Sequence, residues 1–148
     1  MALFEYFPNY VWNLSLAIAL ESGGQVGEII DMSAPLREKA AKGEDAGTKE
    51  FMAEWVKKAE TLIALADEDR QRGRGFSAAA KLQRAALYLF TAERMQGHGH
   101  PGRDKTYALA QRCFADAMQL GQENVRRVDV PLQQGTMPAL FIEAPGSG

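Results

Sequence analysis

The hydrophobic period of this chain changes once, at Gly121. Before that point apolar residues recur every three or four positions, as one face of a helix requires; after it they alternate, as a strand requires. Val128 and Val130 alternate with Arg127 and Asp129, Gln133-Gln134-Gly135-Thr136 reads as a turn, and Met137 to Glu143 reads as a second strand. Val125 to Glu143 is therefore predicted to be an antiparallel hairpin. Nothing earlier in the sequence reads as a strand. A lone two-stranded hairpin is marginal in water, so this one must pack on the helices or join a sheet. The change of pattern favours the second, with the remaining strands expected beyond Gly148 as part of another domain.

The helical part divides at its glycines. Asn9, after Pro8, is suited to cap a helix that runs to about Glu21, with Gly23-Gly24 as its stop and Gly23 to Gly27 as a turn. That helix has almost no polar face and should be largely buried. Ser33 and Pro35 mark the entry to a short helix that Gly43 ends. Thr48 is placed to cap a long helix with Phe51, Met52, Trp55, Val56, Ala59, Leu62, Ile63 and Ala66 on one side. The charged run Asp67 to Arg74 reads as its end and a turn. Ser77 is predicted to cap a third long helix, Ala78 to Met95, whose alanines let neighbours approach closely and so place it centrally. The last helix spans about Arg103 to Leu120, with Tyr107, Ala110, Phe114 and Ala117 on one stripe. The predicted class is mainly α: four to five helices over residues 1–121, then a hairpin within 122–148.

Composition removes several functions. A single cysteine excludes an internal disulfide framework, and Cys113 reads as a small core residue. A formal charge of −2 argues against a nucleic-acid module. The longest apolar run, Val11 to Leu20, is too short to span a bilayer, and Glu5 sits where a signal peptide needs positive charge. The expected location is the cytoplasm, with no membrane partner.

Few residues suggest chemistry. None of Ser15, Ser22, Ser33, Ser77 and Ser147 lies in a G-x-S-x-G elbow. His98 and His100 form an H-x-H pair in a Gly/Pro loop; they suggest a metal or proton-transfer site, but a catalytic zinc normally takes three protein ligands, and the pair reads more simply as a solvated loop. A free metal-dependent enzyme built on them is the third of three functional readings. Gly23-Gly24-x-x-Gly27 has the wrong spacing and context for a dinucleotide fingerprint. Arg70, Arg72 and Arg74 stand beside Asp67, Glu68 and Asp69, as on a solvated helix end. Ala110-x3-Phe114-x2-Ala117 is similar to one helix of a tetratricopeptide repeat, yet no second copy occurs at a fixed period. The aromatic N-terminus has two readings. Its rings either pack in the core, or Tyr10, Trp12 and Asn13 wall a substrate pocket. No catalytic residue, metal ligand or cofactor is assigned.

A wider pattern emerges from Trp12-Asn13, Gly23-Gly24-x-x-Gly27-Glu28, Pro35-Leu36-Arg37, Trp55, Thr91-Ala92-Glu93-Arg94-Met95, Glu123-Asn124-Val125, Val128-x-Val130-Pro131 and Met137-Pro138-Ala139-Leu140-Phe141. In this order the motifs resemble the N-terminal part of α/β-hydrolases that carry a helical cap before the catalytic domain. That group includes 2,6-dihydroxypseudooxynicotine hydrolase, the yellowish-green heptaketide hydrolase and esterase-like relatives of the fermentation-respiration switch protein. The resemblance implies that the helices to Gly121 form a cap over an active site and that Val125 to Glu143 is the first hairpin of the hydrolase sheet. It further implies that the serine, histidine and aspartate of the family lie in a C-terminal catalytic domain that this sequence does not reach. The expected role is then to cover and shape a small-molecule site for ester or ketone-adjacent carbon–carbon hydrolysis, on a ring-bearing substrate. The chain alone would be inactive, and two copies would associate as such relatives often do. The alternative reading is a stand-alone helical interaction module.

Overall fold

In the computed structural model, residues 5–43, 49–122 and 124–144 are described. The helices are α1 (Tyr10–Glu21), α2 (Val26–Ser33), α3 (Arg37–Ala41), α4 (Lys49–Gln71), α5 (Gly75–Arg94) and α6 (Arg103–Leu120), with a 3-10 turn at Ala34–Leu36. Strands β1 (Val125–Pro131) and β2 (Thr136–Ile142) follow. The fold is thus mainly helical and closes on a two-stranded antiparallel hairpin, as predicted. No helix among the described residues is long and apolar enough to cross a membrane.

The long helices α4, α5 and α6 pack consecutively, and α5 lies between the other two. Its central place follows from its alanines. Ala78, Ala79, Ala85, Ala86 and Ala92 are buried, so the neighbouring backbones come close on both sides. α6 offers Ala110, Cys113 and Ala117 to that seam. Cys113 is a core residue, and burial, followed by the nearby Asp116 charge, pushes its thiol pKa up.

Aromatic residues tie the N-terminal segment to this bundle. Phe7 meets Trp12 edge-on at 4.9 Å, Trp12 meets Phe51 at 5.3 Å, Phe51 stacks on Trp55 at 5.1 Å, and Trp55 meets Tyr88 edge-on at 5.7 Å. Such pairs add roughly 0.5–1.5 kcal/mol each beyond their buried area. The chain of rings ends on a polar group. The Tyr88 hydroxyl donates to Glu28 Oε2 at 2.6 Å and accepts from the Gln25 N–H at 3.0 Å, while Arg84 Nε holds the same carboxylate at 3.0 Å. Burial, reinforced by Glu28, raises the Tyr88 pKa, so the phenol stays protonated and donating.

Several boundaries differ from the sequence expectation, each for a local reason. Asn9 does cap α1, its side chain accepting from the Val11 and Trp12 N–H groups. The turn expected over Gly23 to Gly27 is shorter: α2 begins at Val26, and a helix not foreseen there runs to Ser33. The turn is tight because Gly23 has φ +98° and because a Cβ on Gly24 would fall 2.7 Å from the Ala19 carbonyl oxygen. Ser33 ends α2 instead of opening a helix, and Pro35 lies within the 3-10 turn before α3. Thr48 lies outside the described residues. The charged run is the end of α4 and a turn, as expected: the helix stops at Gln71, and its i,i+3 and i,i+4 spacing lets Asp67 face Arg70 and Glu68 face Arg72. α5 begins at Gly75 with Arg74 at its N-cap, so Ser77 is inside the helix and does not cap it.

Tyr88→Phe removes the donor to Glu28 and leaves the Gln25 N–H unmet. The expected loss is about 1–3 kcal/mol of unfolding free energy, read as a lower urea midpoint at unchanged slope.

Candidate functional site

The three residues singled out from sequence do not share a wall. Tyr10 is 67% exposed on the outer side of α1, whereas Trp12 has no exposed surface. Asn13 is buried, and its amide is engaged through both its oxygen and its nitrogen. Its Oδ1 accepts from the Tyr6 and Phe7 N–H groups, and its Nδ2 donates to the Phe7 carbonyl at 2.6 Å. Asn13 thus pins the N-terminal segment onto α1, and Trp12 packs in the core behind it.

The histidine loop forms an open crevice of about 780 Å³. Arg103 governs it, pairing with Glu93 at 2.5 Å and standing 3.2 Å from His98 Nδ1. Arginine only donates, so His98 Nδ1 is the acceptor. Neither nitrogen of His100 has a hydrogen-bond partner among the described residues. Nor, among those residues, do three His, Cys, Asp or Glu side chains converge on a metal position.

A serine, a lysine and an aspartate meet at the α4–α5 turn, a grouping that sequence reading missed because Ser77 was assigned to a cap. Ser77 Oγ donates to Asp69 Oδ2 at 2.6 Å, and Lys81 Nζ donates both to that oxygen at 2.6 Å and to Ser77 Oγ at 2.9 Å. Nucleophilic activation requires a base that can take the serine proton. Here the lysine donates to both partners, and the hydrogen bonds from Lys81 and Ser77 lower the Asp69 pKa, making it a poorer base. The Arg74 N–H also donates to the Asp69 carbonyl at 2.8 Å. The cluster fastens the turn; it does not activate Ser77.

The best-formed apolar recess lies along α5 and α6. Two adjoining crevices share Phe90 and Phe114 on their floors. One, of about 500 Å³, reaches Arg84, Gln83 and the Ser22–Gly23 turn. The other, of about 440 Å³, lies between Tyr107, Phe114 and Met118 of α6 and Val125, Pro138 and Leu140 of the hairpin. Both volumes fall in the range of small-molecule clefts. Phe90 and Tyr107 meet edge-on at 5.8 Å, forming an aromatic wall, and Gln111 and Arg127 supply polar groups at the hairpin end. The sequence assigned Tyr107, Ala110, Phe114 and Ala117 to one stripe. The structure separates them: both alanines are fully buried, Phe114 is half-buried and Tyr107 is exposed. The signal was residue size, since the small members fill the helix seam and the large rings are displaced to its rim.

No family model matches the chain, and no curated protein matches it.

The Asp69 cluster sets a pH dependence. Its folded carboxyl pKa is lowered, so its contribution is present above the unfolded value of about 3.9 and is lost as pH falls through the lower folded value. Thermal melts of the wild type and Asp69→Asn should therefore differ most near neutrality and converge toward pH 2.

Proposed function

We propose that this chain supplies the helical cap and the first β-hairpin of a serine α/β-hydrolase, whose catalytic core lies outside it. The observation that supports this reading is the exposure of the hairpin. Leu140 and Ile142 on one face, and Met137 and Phe141 on the other, are each at least 45% exposed, and among the described residues each strand pairs only with its partner. Apolar side chains on both faces suit a strand covered on both sides, as in layered α/β sheets, and do not suit a hairpin that ends in water.

In this reading the Phe90–Tyr107–Phe114 trough faces the catalytic core and forms part of the substrate's enclosure. A serine in the core would attack the carbonyl, a histidine would take its proton, and backbone N–H groups would hold the oxyanion. The residues of this chain exclude water and orient the acyl or ring portion of the substrate. The aromatic wall favours a ring-bearing substrate, because stacking on a fixed ring orients it without ordering a flexible side chain.

The test is to express the complete reading frame that contains this chain and treat it with a fluorophosphonate serine probe and p-nitrophenyl butyrate. One serine outside residues 1–148 should label, and Phe114→Ala should lower kcat/KM about tenfold, equivalent to about 1.4 kcal/mol of transition-state binding, while labelling persists. Absence of labelling in the complete protein would overturn the proposal. So would labelling of Ser77 in the 148-residue chain. A frame that closes at Gly148 would leave the interaction-module reading in its place.

A further inference from the structure

The two free edges of the hairpin are not equivalent, and the register shows why. The Leu132 N–H donates to the Gly135 carbonyl and the Glu143 N–H donates to the Asn124 carbonyl, each at 3.0 Å. In an antiparallel ladder, facing pairs alternate between those that exchange hydrogen bonds and those that do not. The pairs 132/135, 130/137, 128/139, 126/141 and 124/143 therefore turn their backbone groups inward. Residues 125, 127, 129 and 131 of β1, and 136, 138, 140 and 142 of β2, turn theirs to the outer edges. Both prolines fall in this outward set, where the missing N–H breaks no bond within the hairpin. Pro138 interrupts the middle of β2's edge. Pro131 only ends β1's edge, which stays continuous from Val125 to Asp129.

We propose that the edge of β1 pairs with the same edge of a second copy of this chain, making a four-stranded antiparallel sheet across a two-fold axis at Val128. The charges select the partner and the register. Arg127 and Asp129 lie on one face and are both exposed, 3.7 Å apart within the strand. Pairing centred on Val128 sets each Arg127 opposite the other copy's Asp129, twice by symmetry. It also matches outward donors with outward acceptors at both positions. Centring on Arg127 would oppose two guanidinium groups, and centring on Asp129 would oppose two carboxylates and face Arg127 with Pro131. Opposite charges across strands stabilise and like charges destabilise, so one register is favoured and its neighbours are penalised. The contact is isologous and closes at two copies. It leaves β2's outer edge, with the Leu140 and Ile142 donors, untouched, and so does not depend on the proposed hydrolase role.

Sedimentation of the 148-residue chain should show a concentration-dependent dimer. Arg127→Asp and Asp129→Arg should each weaken it at least about tenfold, because each places like charges opposite one another twice, and the double exchange should restore it. Facing non-hydrogen-bonded residues have Cα atoms about 4.5 Å apart, within disulfide reach. In a Cys113→Ala background, Val128→Cys should therefore cross-link two copies on mild oxidation, and Val125→Cys should not. Circular dichroism unchanged from wild type shows that each variant is folded; a variant that fails this leaves the cross-linking pair to decide. A chain that stays monomeric at all concentrations would overturn the proposal. So would a dimer indifferent to both single exchanges, or one that cross-links equally through either cysteine.

Discussion

The helices are held together by a line of aromatic rings from Phe7 through Trp12, Phe51 and Trp55 to Tyr88. Each ring comes from a different part of the chain than its partner, or from the next turn of the same helix. The line therefore fixes the N-terminal segment, α1, α4 and α5 relative to one another. Shape dominates polarity here: the indole N–H groups of Trp12 and Trp55 are buried with no acceptor among the described residues. An unmet donor costs about 1–3 kcal/mol, a penalty that only extensive ring packing offsets. At its far end the Tyr88 hydroxyl converts the stack into a hydrogen-bonded junction with Glu28 and Arg84, which fastens α2.

The hairpin is built on the opposite principle. The helices share a common core that buries Trp12, Phe51, Trp55 and Tyr88, although α1, expected to be largely buried, turns Tyr10, Val11, Leu14 and Ile18 outward, while most strand residues remain exposed. Local terms hold the hairpin: its ladder, the Arg126 guanidinium over the Phe141 ring at 4.6 Å, and Asn124 donating to the Glu143 carbonyl at 2.5 Å. The same chain thus contains a body with its own buried core and an appendage without one. The trough lies where the two meet, and it stays open because the large rings of α6 are kept at the rim by the alanines in its seam.

Periodic features were legible in the sequence. The limits of α6, the Asn9 cap and both strands follow directly from spacing and turn chemistry, because local rules decide them. The errors came where tertiary contacts outweighed local ones. The glycines before Val26 hid α2, whose start depends on the close crossing at Gly24. Ser77 looked like a cap because serine favours that position, but a carboxylate eight residues upstream captured its hydroxyl. Trp12 and Asn13 drew attention as a ring beside an amide, and the structure uses both inside the fold. The trough residues were visible only as part of a stripe, since a helical period identifies a face without saying which of its members will be squeezed out of the seam.

The placement of the two tryptophans divides the molecule spectroscopically. Trp12 and Trp55 are the only tryptophans, both have no exposed surface, and Phe51 lies between them in a single aromatic line. Intrinsic tryptophan emission therefore reports on the helical body as one unit. The hairpin contributes nothing to that signal, so it can dock, pair or open while the fluorescence of the protein stays still.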